Sequence, residues 1–293
     1  MIELAAVFAV AGAASNAVGT AFQRKAASAS SRGGLRLIAE LVRRPFWMIG
    51  MAGVIGAALF QSLALVNGPL ALVQPLFILE LPFALLVAAP LMRRRLPPSG
   101  WWGVGGCVGG LAVLLVAAAP HGATDQAPLV RWVPALCACV GAMGAAVLLA
   151  GRRHSPARRA ALLAAASATG NALTAALLKS ASGTFADEGF TAFLRSWQTY
   201  GFALAGVASV LLLENALQAG PLAAAQPALT IGDAVVSLTL GIVLFGERVR
   251  TGWWLVPEAC GALLIIGGVL VLSRAVQRLV VLPVPTEERR AST

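Results

Sequence analysis

Residues 64–75 read Ala-Leu-Val-Asn-Gly-Pro-Leu-Ala-Leu-Val-Gln-Pro, and residues 216–227 read Ala-Leu-Gln-Ala-Gly-Pro-Leu-Ala-Ala-Ala-Gln-Pro. Without a gap, at an offset of 152, Ala64, Leu65, Gly68, Pro69, Leu70, Ala71, Gln74 and Pro75 meet Ala216, Leu217, Gly220, Pro221, Leu222, Ala223, Gln226 and Pro227. The register continues downstream, where Gly100-Trp101-Trp102 meets Gly252-Trp253-Trp254 and Gly109 meets Gly261. A period this long is not that of a soluble repeat array. In a membrane chain it points to two halves built alike, as in many transporters.

Composition places the chain in a membrane. It is 58% hydrophobic and 12% charged, with a mean hydropathy of +0.82, more apolar surface than a soluble domain of 293 residues can hide. The net charge of +10 does not indicate nucleic acid, because the basic residues cluster between apolar spans, where they act as topology signals and contacts to anionic lipid. The four cysteines, Cys107, Cys137, Cys139 and Cys260, lie in apolar stretches with no zinc or disulfide spacing, and read as buried structural thiols. Glu3 and the lack of an early Lys or Arg argue against a signal peptide, so residues 3–23 read as a retained first span.

A span needs about 20 apolar residues. Nine candidates meet that length, near 3–23, 46–67, 70–92, 101–119, 132–151, 160–178, 197–218, 221–245 and 253–273. Helices are expected throughout, since no stretch alternates like a barrel strand. The arginine-rich stretch 34–44 reads as a surface helix, and the polar tail 281–293 as disordered and cytoplasmic. With nine spans, 17 of the 22 Lys and Arg fall on the side holding the loops after spans 1, 3, 5 and 7 and the C-terminus. That side is expected to face the cytoplasm of a bacterial inner or plasma membrane, with the N-terminus outside.

The second copy starts at span 6, five spans after the first. Five is odd, so the halves are expected to run in opposite directions across the bilayer. Asn16-Ala17 and Arg24 in the first copy pair with Asn171-Ala172 and Lys179 in the second. The expected architecture is all-α and polytopic. Residues 1–120 form one repeat, 121–155 a connector with span 5, and 156–280 the inverted second repeat.

Each quoted stretch reads as a tight helical hairpin. Gly68 and Gly220 are expected in a left-handed closing turn, and Pro69 and Pro221 at the next helix start, where no amide proton is needed. Pro75 and Pro227 fall about two turns inside those helices and are expected to bend them. Bent helices at matching positions point to a transport site. The glycines Gly105 with Gly109 and Gly106 with Gly110 are spaced for close helix packing, as are Gly261, Gly267 and Gly268. The glycine run at 103–110 lacks the flanking strand of a nucleotide loop.

Charges in hydrocarbon are costly, so Glu80 and Asp233, near the middle of spans 3 and 8, are the leading candidates to hold a cation or a proton. Should the chain carry a divalent cation, they would be its ligands. Glu214 and Glu258 are secondary candidates. Gln74, Gln226, Asn16, Asn171 and Gln61 form a polar set that either lines a solute path or bonds helix to helix. No enzyme constellation, ATP site or cofactor motif is present. The expected partners are lipid and a small-molecule or ion substrate, with a homodimer left open.

The segments Gly68-Pro-Leu-Ala-Leu-Val-Gln-Pro-Leu76 and Gly220-Pro-Leu-Ala-Ala-Ala-Gln-Pro227 resemble the drug/metabolite transporter superfamily of the EamA-like kind. Leu244-Phe-Gly-Glu-Arg248, which ends the second of these helices, resembles that superfamily's common Gly-Glu-Arg close. The short hairpin, the Pro-Leu pairs and the span count are similar to its NIPA-type magnesium transporter branch. The resemblance implies a secondary-active transporter of a small solute, such as a metabolite, drug-like compound or amine. A carrier of Mg²⁺ or another divalent cation is the alternative, and a non-transporting membrane scaffold is the rival of another class. One departure stands out: at the repeat offset Arg95, not an acid, aligns with Glu247.

Overall fold

The computed structural model describes residues 2–28, 45–91, 98–122, 124, 126–151 and 155–281. Among these, nine helices are long and apolar enough to cross a bilayer, and the chain is an all-α, polytopic integral membrane protein. Span 1 is Ile2–Ser28, span 2 Pro45–Asn67, span 4 Pro98–Ala118 and span 5 Leu129–Leu149. Span 6 is Pro156–Glu188, span 7 Trp197–Ala219, span 8 Leu222–Phe245, and span 9 runs through Leu255–Val281 after a 3-10 turn at Gly252–Trp254. No strand occurs among the described residues; His121 and Arg248 form an isolated bridge. The expected surface helix at 34–44, Arg93 to Arg95 and the tail beyond Val281 lie outside the described residues.

Span 3 is the broken one. It is helical over Leu70–Leu76, tightens to a 3-10 turn at Phe77–Leu79 and resumes over Glu80–Leu91. Two prolines explain the break. Pro75 has no N–H for the Ala71 carbonyl and Pro82 none for that of Ile78, so the ladder is cut on both sides of the turn. Span 8 carries Pro227 but has Ala234 where span 3 has Pro82, and its helix is unbroken over Leu222–Phe245.

Span 6 is 33 residues long, about 50 Å at 1.5 Å per residue, against a hydrocarbon core of roughly 30 Å. Ser155 caps its start by accepting from the Arg158 amide at 3.4 Å, and Pro156 occupies the first turn. Gly189, at φ +83, ends it. The sequence suggested a stop near 178, because Lys179 looked like an interfacial residue. Lys179 is instead fully buried and the helix runs on through small residues.

The halves repeat their packing. Span 1 lies on spans 2 and 3 as span 6 lies on spans 7 and 8, while spans 3 and 8 meet each other and spans 4 and 9 meet each other. Span 5 packs on spans 6 and 8. Glycines set the closest approach. A Cβ on Gly110 would sit 2.7 Å from the Gly261 carbonyl, and one on Gly103 would sit 2.8 Å from Leu272. As span 4 is climbed from 103 to 110, its neighbours on span 9 descend from 272 to 261. Spans 4 and 9 are repeat mates and they run antiparallel, so the repeat is inverted. Gly106 and Gly110 face this seam, whereas Gly105, Gly109 and Gly267 face open space.

The structure corrects two smaller expectations. Gly68 and Gly220 are not left-handed: neither has a positive φ, and Gly220 is extended at φ −177. Glycine is needed there for room, since a Cβ on Gly68 would strike Ala5 and one on Gly220 would strike the Pro156 carbonyl. Each hairpin thus sits on the start of its own repeat. The left-handed cap occurs at Gly246, φ 65 and ψ 25, closing span 8. Of the cysteines, Cys107 and Cys139 are buried, but Cys137 and Cys260 are exposed, facing outward from apolar helices where lipid lies.

Candidate functional site

A hairpin without a loop leaves orphan carbonyls at the end of one helix and orphan amides at the start of the next. At the first hairpin both sets are met by charged side chains from the other half. Lys179 of span 6 donates to the carbonyls of Leu65 at 3.1 Å and Gly68 at 2.7 Å. Glu247, just beyond span 8, accepts from the amides of Leu70 at 2.5 Å and Ala71 at 2.9 Å. The ammonium thus sits at a helix C-terminus and the carboxylate at an N-terminus, each facing the favourable end of the dipole. The two are 3.9 Å apart with fully buried side chains, and the Lys179 ammonium lies 5.3 Å above the Phe245 ring. Burial pushes the Glu247 carboxyl up, against the opposite pull of Lys179 and of the Ala71 and Leu70 amides.

A second layer closes over this clamp. Arg131 Nη1 donates to the Leu244 carbonyl at 3.3 Å, and the Thr124 amide and hydroxyl both donate to that of Phe245. His121 and Arg248 exchange backbone hydrogen bonds at 3.0 and 2.9 Å, and the Arg250 amide donates to the Ala118 carbonyl. Trp132, buried, meets Phe245 and Trp197 edge-on at 6.3 and 5.3 Å. Gln126 ties the same loop to span 6 through Ser180 and Thr184. The end of the bundle bearing the first hairpin is therefore tied together by side chains and backbone of both halves and the connector.

The repeat places the mate of this clamp at the other end. At the clamp, span 6 packs on span 2 and on the start of span 3. The mate arrangement would set span 1 against span 7 and the start of span 8. The mates of the clamp are Arg24, whose side chain lies outside the described residues, and Arg95, which lies outside them altogether.

The residues singled out from sequence fall into three groups. Gln61 and Gln74 meet across the first hairpin, Nε2 to Oε1 at 3.4 Å, with Gln74 buried. Asn171 accepts from Ser209 at 2.5 Å, and the hydroxyls of Ser209 and Ser167 bond across the same seam. Both sets join helix to helix. Asn16, the mate of Asn171, is half-buried, but it is Ser15 that bonds span 1 to span 2, donating to Gly53 at 2.8 Å.

Gln226 and Asp233 form the second group. At 100° per residue Gln226, Thr230, Asp233 and Ser237 fall within about 60° of one another on span 8. Ile231, Val235 and Ile242, all exposed, lie on the opposite face. The polar stripe therefore looks inward. Asp233 is half-buried, and its Oδ1 is enclosed without a partner. Ser237 is fully buried and its hydroxyl is likewise unpartnered. One turn on lies Gly241, where an added Cβ would strike the Glu247 carboxylate. The stripe thus ends at the clamp.

The remaining acids stand apart. Glu80, where span 3 resumes its helix, is half-buried and partnered. Glu214 is exposed. Glu258 is half-buried in the first turn of span 9's helix, with Oε2 enclosed and unpartnered. No three His, Cys, Asp or Glu side chains converge among the described residues.

Sequence reasoning missed Lys179, Glu247 and Ser237 as site residues. Lys179 had a signal, since a lysine inside an apolar helix needs a partner. Ser237 had one too, four residues beyond Asp233 and hence on its face. The pairing of Lys179 with Glu247, 68 positions apart, had none.

The chain is 28% identical over 275 residues to an uncharacterized protein of Corynebacterium glutamicum, covering 92% of this chain and 95% of that one. No protein-family profile matches it, and no solved structure does.

Proposed function

We propose that this chain is a secondary transporter that moves a small solute by alternating access. The observation that supports the reading is the inverted repeat, with the mates span 4 and span 9 packed antiparallel against each other. Halves related by an in-plane axis can exchange conformations, and the exchange moves the opening from one side to the other. A transporter caught in one state has mates that pack at one end and stand apart at the other. Here Lys179 and Glu247 clamp one end, and the polar stripe of span 8 leads up to it from within. The resemblance to the drug/metabolite transporter superfamily supports the same reading. In it, Gln226 and Asp233 contact the solute or a coupling ion, and Asn171, Gln61 and Gln74 hold the helices that carry the path. The excess of basic residues at the end opposite the clamp supports a cytoplasmic position for it. The divalent-cation alternative gains no observation of its own, although Mg²⁺ needs only one or two carboxylates.

The test is flux in liposomes. Purified protein is reconstituted and screened with amines, metabolites and metal ions under an imposed pH gradient. Saturable uptake is expected, and Glu247→Gln should lower it on the order of tenfold or more while insertion is retained, because a bias of about 1.4 kcal/mol between two states is a factor of ten. A scaffold would carry nothing, and would also tolerate Glu80→Gln and Asp233→Asn without consequence.

A further inference from the structure

We infer that Asp233 and Ser237 form a binding site for one desolvated monovalent cation, filled either by an alkali ion or by the ammonium head of a protonated amine. The inference rests on the transporter reading for its purpose but not for its test. The geometry comes first. The residues are one turn apart on the inward face of span 8, where side chains four residues apart stand about 5–6 Å from each other at Cβ. Both present an enclosed oxygen with no partner, and Ser237 is fully buried. Two adjacent buried acceptors without donors are rare in a folded protein.

The chemistry then narrows the ligand. A carboxylate enclosed in a bilayer must take a proton or a cation. The only lysine described in the interior is already engaged, since Lys179 pairs with Glu247 and two carbonyls. Asp233 and Ser237 are not hydrogen-bonded to each other, and both oxygens stay open. A cation seated between them would satisfy both, and its single charge would match the single carboxylate. Span 3, the mate of span 8, places Leu81 and Leu85 at the corresponding positions, so the site exists in one half only and binds one ion per chain. Toward the clamp, the next turn is bare at Gly241, beside the Glu247 carboxylate. A cation leaving the site in that direction meets a second acid.

The experiment is thermal unfolding of the full chain in detergent at fixed pH and ionic strength. N-methylglucamine chloride is replaced stepwise by sodium, potassium or ethylammonium chloride. At least one of the three should raise the Tm saturably, and which one does so separates the alkali ion from the amine. Asp233→Asn should abolish the rise. Ser237→Ala, which removes only a hydroxyl, should raise the half-saturating concentration several-fold, and it keeps the test alive if the asparagine variant fails to fold. Equal Tm in all four salts would overturn the inference, as would a rise that persists in Asp233→Asn or is unmoved by Ser237→Ala. Because the readout is binding, absence of flux in liposomes would count against the transporter reading and leave the site standing.

Discussion

The two hairpins were copied from one template, yet they are held in different ways. The first, at Asn67-Gly68-Pro69, has its free carbonyls and amides capped by Lys179 and Glu247 from the opposite half. The second, at Ala219-Gly220-Pro221, has an arginine at the position of each partner, Arg24 for Lys179 and Arg95 for Glu247. A guanidinium has donors and no acceptor, so Arg95 can never take up the amides of Leu222 and Ala223 as Glu247 takes up those of Leu70 and Ala71. The duplication gives the bundle two halves of one pattern. The charge swap at one pair of positions leaves the second hairpin without a carboxylate at the place of Glu247.

The largest expected effect comes from breaking the clamp. Lys179→Met leaves the Glu247 carboxylate buried without its counterion and should cost about 3–5 kcal/mol, read as a fall in unfolding free energy in detergent. The double variant with Glu247→Gln should cost less than the two singles added together, because the pair acts as a unit. Additive losses would mean that the two side chains stabilise the hairpin independently.

The contrast between spans 3 and 8 gives the next test. Pro82→Ala removes one of the two interruptions beside the 3-10 turn and should be neutral or stabilising by under about 1 kcal/mol. Ala234→Pro, the reciprocal change, cuts an unbroken helix and should cost about 3 kcal/mol. Equal effects would show that the break in span 3 does not depend on the second proline.

Packing across the axis is smaller again. Gly110→Ala drives a methyl into the Gly261 backbone and should cost about 1–3 kcal/mol, whereas Gly109→Ala, facing open space, should cost almost nothing. On the seam of spans 6 and 7, Asn171→Ala should cost about 1 kcal/mol. Larger losses of flux than of stability in that variant would give Asn171 a part in the path as well.

The smallest effect is a pH slope. Burial holds the Glu247 carboxyl above its ordinary value of 4.5, so just above that value the folded chain binds more protons than the unfolded one. Stability from this group therefore rises as pH falls. The unfolding temperature of the wild type minus that of Glu247→Gln should grow on acidification through that window. A difference that shrinks would mean the lysine and the two amides outweigh burial.

Much of this architecture was legible in the residues. The Gly-Pro and Gln-Pro pairs gave the hairpins, the odd spacing of the copies gave the inversion, and hydropathy gave every span. What failed to show was mostly tertiary. Lys179 resembles a helix end until a carboxylate from a distant loop turns up beside it, so span 6 looked ten residues too short. Gly68 and Gly220 resemble left-handed caps, and only the approach of Ala5 and Pro156 shows that space, not φ, selects glycine. Leu81, not Glu80, is the mate of Asp233, and one residue on a helix is a turn of about 100°, so the two acids lie on different faces of related helices.

The account is tested most directly by asking from which side the polar stripe can be reached. Thr230→Cys, in a background with the four native cysteines replaced, is labelled with a membrane-impermeant thiol reagent in right-side-out and inverted vesicles. Labelling from the side bearing the loops after spans 1, 3, 5 and 7 is expected, with Glu247→Gln adding labelling from the hairpin side. Labelling of the parent protein from the side of the Lys179–Glu247 clamp would contradict it.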